Sequence, residues 1–355
     1  MRRIFFALIV LLSLLSAPGF TALHQNAEIN ILVLNRSSQA TSKITDGDTL
    51  KLQITLSQTV SQQENITFKL GDGSSYAAAC IIPSGKTTCT TESFSALGWY
   101  WDSNGAAQNT RALQAFTDNG ASVGQSNPIA VSPRPVVMVH GFLSNPETWA
   151  SYLGANGFLS AMGIQGFAVG DGQVPGKLNA GDILNPTSRT NTIAQNAGVL
   201  HQYIAEVKQK TGAEMVDLVV HSMGGMISRY YIDRVMQDRD VAQLIMLGSP
   251  MGGSDCAVLP AALGFYLPAS IEIRESYMTG VFNQQITHRR GIEFYDLGGT
   301  AINDAFKSPC TDVPNDTVVS FSSVNAIALQ ASQLADIHSD LTFSEKAFKI
   351  GRAHV

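Results

Sequence analysis

One serine in this chain sits where a hydroxyl can be put to chemical use. Ser222 lies in DLVVHSMGGMISRYY, Asp217 to Tyr231. The run before it, MVDLVV, is apolar but for Asp217 and reads as a buried strand. The run after it, GMISRYYIDRVM, has helical spacing. In a parallel sheet ligands bind beyond the carboxyl ends of the strands, so a serine at this junction is displayed at the top of the sheet. It also adjoins a helix amino terminus, whose free N–H groups favour negative charge. Gly224 and Gly225 let strand and helix backbones pass closely. The plainer alternative is a structural strand–turn–helix. A hydroxyl alone is a weak nucleophile: it needs a base, and the base needs an acid to orient it.

HSMGG followed by SRYY resembles the nucleophile elbow of the α/β-hydrolase superfamily, and bacterial lipases in particular. The first glycine of the G-x-S-x-G pattern is Val220 here, a β-branched residue expected to crowd the turn. The resemblance implies a chain order of serine, acid, histidine. Three histidines follow Ser222: His288, His338 and His354. His288, in ITHRRG, has cationic neighbours and precedes a core strand. His354 falls in a suspect tail. His338, in LADIHSDLTF, follows the core strands on a loop and is similar to the lipase G-H-S-D-L segment, so it is the expected base. Candidate acids are Asp296, Asp304, Asp312 and Asp316. Asp316 is preferred, because PNDTVVSFSS resembles the lipase N-D-G-x-V segment, with Thr317 in place of the glycine; Asp312 is its closest rival. The alternative for Asp316 is an Asx-turn residue. VMVHGFLSN resembles the lipase His-Gly segment, which implies an oxyanion hole of backbone N–H groups from Phe142 and Met223.

These residues need a scaffold, and the composition supplies one. The chain has 355 residues, a formal net charge of −5, 45% apolar and 14% charged residues. That describes a globular protein with a large core and about two domains. No basic stripe is present, which argues against nucleic acid as a partner. Residues 1–22 read as a secretory signal: Arg2 and Arg3, an apolar run from Ile4 to Leu15, then small residues. The expected location is therefore secreted, extracellular or periplasmic, with an uncleaved anchor as the alternative. Four cysteines in an exported chain suggest disulfides. Chain order favours Cys80–Cys89 and Cys256–Cys310, although four cysteines allow three pairings. The last residues, IGRAHV at 350–355, match a sequencing-adapter read-through and are set aside as a scar.

Residues 23–132 have an all-β texture: period-2 runs such as TLKLQITL and NITFKL, separated by TDGD, GDGSS, PSGK and DSNG. An immunoglobulin-like sandwich is expected. SPRP, Ser132 to Pro135, reads as a linker. From 133 to 349 strands alternate with helices, which predicts a mostly parallel sheet covered on both faces, the α/β-hydrolase architecture that the motifs imply. NPETWASYL reads as a helix with Asn145 as N-cap and Pro146 at its first position. Ser254 to Phe282 is long and apolar, either a lid over an acyl pocket or a buried helical pair. No cofactor is expected. Asp336 and Asp340 near His338 are insufficient to assign a calcium site. The substrate expected is a lipid or other hydrophobic ester, with transient contact at a lipid interface; the oligomeric state is not readable. A lipid acyltransferase or thioesterase on the same fold, or a non-catalytic surface-binding protein, are the alternatives.

Overall fold

The computed structural model describes residues 29–71, 76–256 and 267–352. The expected signal segment lies outside the described residues, as do the central part of the apolar insertion and His354.

The amino-terminal part is all β. Its strands are β1 (Ile29–Leu34), β2 (Lys43–Thr45), β3 (Thr49–Leu56), β4 (Glu64–Leu70), β5 (Tyr76–Ile82), β6 (Thr88–Thr90), β7 (Phe94–Ser95), β8 (Thr110–Arg111), β9 (Leu113–Thr117), β10 (Ser122–Gln125) and β11 (Ile129–Ser132). They form a β1-β3-β6 sheet with β7 on β3, a β10-β9-β4-β5 sheet and a small β2-β11-β8 sheet. Alternation explains the packing: every second residue of TLKLQITL is buried. Leu52 and Ile54 of β3 share one core with Ile66 and Phe68 of β4 and Leu113 of β9, so the sheets face each other across it. Cys80 of β5 and Cys89 of β6 form the expected disulfide, which joins the two larger sheets.

The second part is built on β12 (Val136–Val139), β13 (Gly166–Ala168), β14 (Val216–His221), β15 (Val241–Leu247), β16 (Glu293–Gly299) and β17 (Gln330–Leu334). They form one sheet in the order β13-β12-β14-β15-β16-β17, and every pairing is parallel. After β12 the chain adds β13 on one side and later β14 on the other, which makes the β12–β14 boundary the topological switch point. Helix α1 (Ile193–Thr211) and helix α2 (Gly224–Tyr230) pack on one face with Val139, Val220 and Met246. Helix α1 starts on a capping box of Thr192 and Gln195 and stops at Gly212, whose φ of 75° suits glycine. The other face is covered by Trp149, Tyr152, Leu341 and the C-terminal helix Glu345–Arg352. That helix runs into the segment expected to be a scar, and Gly351 is buried.

Two expectations change. Asn145 does cap the next segment by accepting from Glu147 N, but the helix is a single 3-10 turn, Pro146–Trp149. The chain then continues in turns through Gly154, where φ is 80°, rather than extending as a helix. SPRP is also more than a linker. The Arg134 side chain is buried, forms an ion pair with Asp46 of the β domain, and donates from Nε to Asp217 Oδ1 of β14 at 2.8 Å. Burial raises the Asp46 carboxyl above its usual range, while the Arg134 charge opposes that shift. Around this clasp Thr49 Oγ1 donates to Glu214 Oε2 at 2.6 Å and Tyr100 donates to the Met162 carbonyl at 3.3 Å. Glu214 and Asp217 lie at the amino end of β14, so the β domain is joined there.

The described part of the apolar insertion turns one side to the core and leaves Ile271 and Val281 exposed. Ala269, Ile273, Met278 and Phe282 are buried against α1 and α2. Its start is pinned by the Cys256–Cys310 disulfide, the pairing expected from chain order.

Candidate active site

The serine stands at the opposite, carboxyl end of β14. Ser222 has a φ of 55°, a left-handed conformation that a non-glycine residue rarely adopts. Its N–H is tied to the Leu247 carbonyl of β15 at 2.9 Å, and its own carbonyl accepts from Gly225 N at 3.0 Å. The strain is sustained because glycines surround it. A Cβ at Gly141 would lie 2.6 Å from Ser222 Cβ. A Cβ on Gly224 would collide with the Val139 carbonyl, and one on Gly225 with the Ser249 hydroxyl. Val220 is fully buried between Val139 and Met246 and points into the α2 face. The expected crowding by Val220 is therefore absent: the glycines that the turn requires are Gly141, Gly224 and Gly225.

Asp316 and His338 meet in this structure. His338 Nδ1 lies 2.7 Å from Asp316 Oδ2, and His338 N–H donates to the Asp316 carbonyl at 2.8 Å. Asp316 is fully buried, and its Oδ1 accepts from Val318 N and Val319 N at 3.0 and 2.7 Å. One carboxylate thus serves both expectations, Oδ1 making the Asx turn and Oδ2 facing His338. A carboxylate accepts, so the proton sits on Nδ1 and leaves Nε2 free as a base. Gly248, just past β15, abuts this pair: its Cβ would lie 3.1 Å from both Asp316 Oδ2 and His338 Nδ1. The end of β15 therefore touches Ser222 through Leu247 and the acid–base pair through Gly248. No hydrogen bond joins Ser222 Oγ to His338; such links are often long before substrate binds.

The rivals are elsewhere. Asp312 bonds Ser322 and its own loop, and Asp304 caps a 3-10 turn at Phe306 N. His288 is exposed, 3.6 Å from Asp233. Asp296 is buried on β16, where its Oδ2 has no partner. Burial pushes its carboxyl well above the usual range, with the Asp316 charge adding to the rise and backbone bonds from Ser249 and Leu297 opposing it. A group whose folded pKa is raised contributes stability below its unfolded value, about pH 3.9, and that stability is lost as pH rises through the folded value. Asp296→Asn is therefore expected to flatten the fall in melting temperature from about pH 4 upward; melting curves parallel to wild type across that range would contradict it.

The segment after β12 lies against the serine. Leu143 N donates to the Ala180 carbonyl at 3.0 Å, which holds the loop. Among the described residues the N–H groups of Phe142 and Met223 have no protein acceptor. Two histidines flank the site that sequence reasoning gave no role. His140 Nδ1 donates to the Gly141 carbonyl, and burial lowers its pKa to about 4. His221 precedes the serine and is buried against His338. Among the described residues one further set of ligand-type atoms gathers, Asp255, Cys256 and Cys310. Two of the three are bonded to each other as a disulfide, so they offer no thiolate.

Residues 188–299 match the family model described as PGAP1-like alpha/beta domain. Among solved structures, the chain is similar to a lipase of Bacillus licheniformis in its mature form, with 19% identity over 61% of this chain and 89% of that one, at a TM-score of 0.49. A phospholipase of Legionella pneumophila matches with 18% identity over 54% and 45%, at 0.40. An extracellular alpha/beta-hydrolase of a Paenibacillus species matches with 12% identity over 62% and 98%, at 0.39.

Proposed function

We propose that this chain is an α/β-hydrolase and, within that superfamily, a serine carboxylester hydrolase, lipase-like and secreted, that cleaves hydrophobic acyl esters through an acyl-enzyme. The observation that carries the reading is the Asp316–His338 pair, 2.7 Å between Oδ2 and Nδ1, set beside a serine held at a φ of 55°. Ser222 Oγ attacks the ester carbonyl while His338 Nε2 takes its proton. Asp316 fixes the imidazole and stabilises the imidazolium. The oxyanion is received by the N–H groups of Phe142 and Met223, each worth about 10²–10³ in rate. Collapse expels the alcohol, protonated by His338, and leaves Ser222 acylated. Water, deprotonated by His338, then releases the acid.

A hydrophobic substrate is supported by what surrounds the site. Met223 and Met226 are buried beside Ser222, and Phe142 packs on the same core. Ile183, Leu184, Phe306, Ile337 and Phe343 are exposed. All five lie on segments that leave the carboxyl ends of strands, the end that carries Ser222. Such a rim suits transient contact with a lipid surface. The amino-terminal part is proposed to be an immunoglobulin-like sandwich.

A p-nitrophenyl alkylphosphonate tests the mechanism. One equivalent of p-nitrophenol should be released per chain, with the adduct mass on the peptide containing Ser222. No release, or an adduct elsewhere, would sink the assignment. Turnover of p-nitrophenyl butyrate against palmitate then sets the chain-length preference, and ester products formed with an added alcohol would favour an acyltransferase instead.

A further inference from the structure

We propose that His221 is a positioning residue that sets His338 at its working distance from Ser222. The inference rests on the proposed esterase reading. It follows from a comparison of every hydrogen bond that holds the base. His338 N–H bonds the Asp316 carbonyl and His338 Nδ1 bonds Asp316 Oδ2. Both tie the histidine to the acid's own loop. Asp316 in turn bonds only Val318, Val319 and His338. Acid and base are therefore one unit, fixed internally, and nothing in that unit fixes it to the strand that carries the nucleophile. Among the described residues a single hydrogen bond spans that gap. His221 Nε2 lies 3.0 Å from the His338 carbonyl.

A carbonyl can only accept, so Nε2 carries the proton and donates. His221 is the last residue of β14 and the direct neighbour of Ser222. Its backbone is held in the sheet opposite Leu247. Its ring also packs on the His338 ring, with centroids 4.5 Å apart at 45°. One side chain thus grips the base by its backbone and by its face, from a point one residue away from the nucleophile. Small errors in that distance are expensive, because a misplaced base loses the benefit of being held in reach.

Burial, and then the charge of His338, hold the His221 ring well below the ordinary histidine range. His221 therefore stays neutral while His338 cycles through its charged form, and does not compete for the serine proton. Its Nδ1 is buried without a partner. The ring contributes one donor and a flat face.

The geometry separates the roles of ring and donor. Phe keeps the face and removes the N–H. Gln places an amide N–H near the position of histidine Nε2, whereas Asn reaches only to the position of Nδ1. With p-nitrophenyl butyrate, His221→Phe should lower kcat about tenfold with KM unchanged, about 1.4 kcal/mol at the upper end for one lost hydrogen bond. His221→Gln should recover most of that loss, and His221→Asn should not. Each variant should still release one equivalent of p-nitrophenol from the phosphonate, given time, which shows that the serine and the fold are present. Wild-type kcat in His221→Phe, or equal kcat in the Gln and Asn variants, would overturn the role. A wild-type chain that turns over no ester would instead overturn the esterase reading on which it rests.

Discussion

Ser222→Ala should lower kcat on p-nitrophenyl esters about 10⁶-fold, and His338→Ala by a similar factor. The double variant should be no slower than either, because nucleophile and base act as a unit and the second loss has nothing left to remove. Asp316→Asn should cost about 10⁴-fold. Its amide would still accept through one oxygen, but an amide nitrogen facing His338 Nδ1 turns the imidazole to the wrong tautomer. Ser222→Ala and Asp316→Asn nearly keep the side-chain volume, so their melting temperatures should stay close to wild type, whereas His338→Ala removes a buried ring packed on His221 and should melt lower while remaining folded. Activity retained in Ser222→Ala or His338→Ala would remove the assignment. Activity retained in Asp316→Asn would move the acid to Asp296, the buried carboxyl of the neighbouring strand.

Arg134→Met should destabilise the protein by about 3–5 kcal/mol, because two buried carboxylates lose the counter-charge that both share at the clasp. The loss is larger than for a surface pair, since neither Asp46 nor Asp217 can turn to water. The expected fall in melting temperature is on the order of 10 °C. Replacing all three residues together, Arg134→Met with Asp46→Leu and Asp217→Leu, should recover most of it, as apolar substitutes for a buried charge cluster generally do. A single variant that melts with wild type would show that the clasp contributes nothing net. A triple variant worse than the single one would show that it specifies how the domains meet.

Local pattern carried much of this molecule and failed where the decisive contacts are distant. MVDLVV read as a buried strand because five of its six residues are apolar, and β14 is buried throughout, Asp217 included through its pair with Arg134. Ser222, Asp316 and His338 stood out because each lies in a short segment of recognisable type, and the structure pairs Asp316 with His338. QASQL escaped notice as β17, since an edge strand half-open to solvent carries neither alternation nor an apolar run. NPETWASYL has the caps of a helix, yet Trp149 and Tyr152 are drawn into the core from a turn, and tertiary packing overrode the local signal. Arg134 looked like part of a linker because its partners lie 88 and 83 residues away. His221 had no signal beyond its neighbour: its partner His338 is 117 residues distant.

The two ends of β14 are differently occupied, and this gives the molecule a handle and a mouth. The clasp at Asp217 and the nucleophile at Ser222 are five residues apart on one strand, about 16 Å at strand rise. The β domain grips the lower end, so anything that holds that domain also aims the upper end away from itself. A chain immobilised through its amino-terminal domain, on a bead or a cell surface, would present Ser222 outward with the apolar rim leading. One attached through the loops at 181–188 or 335–343 would be gagged. Orientation on a support is thus settled by which end of a single strand is tethered.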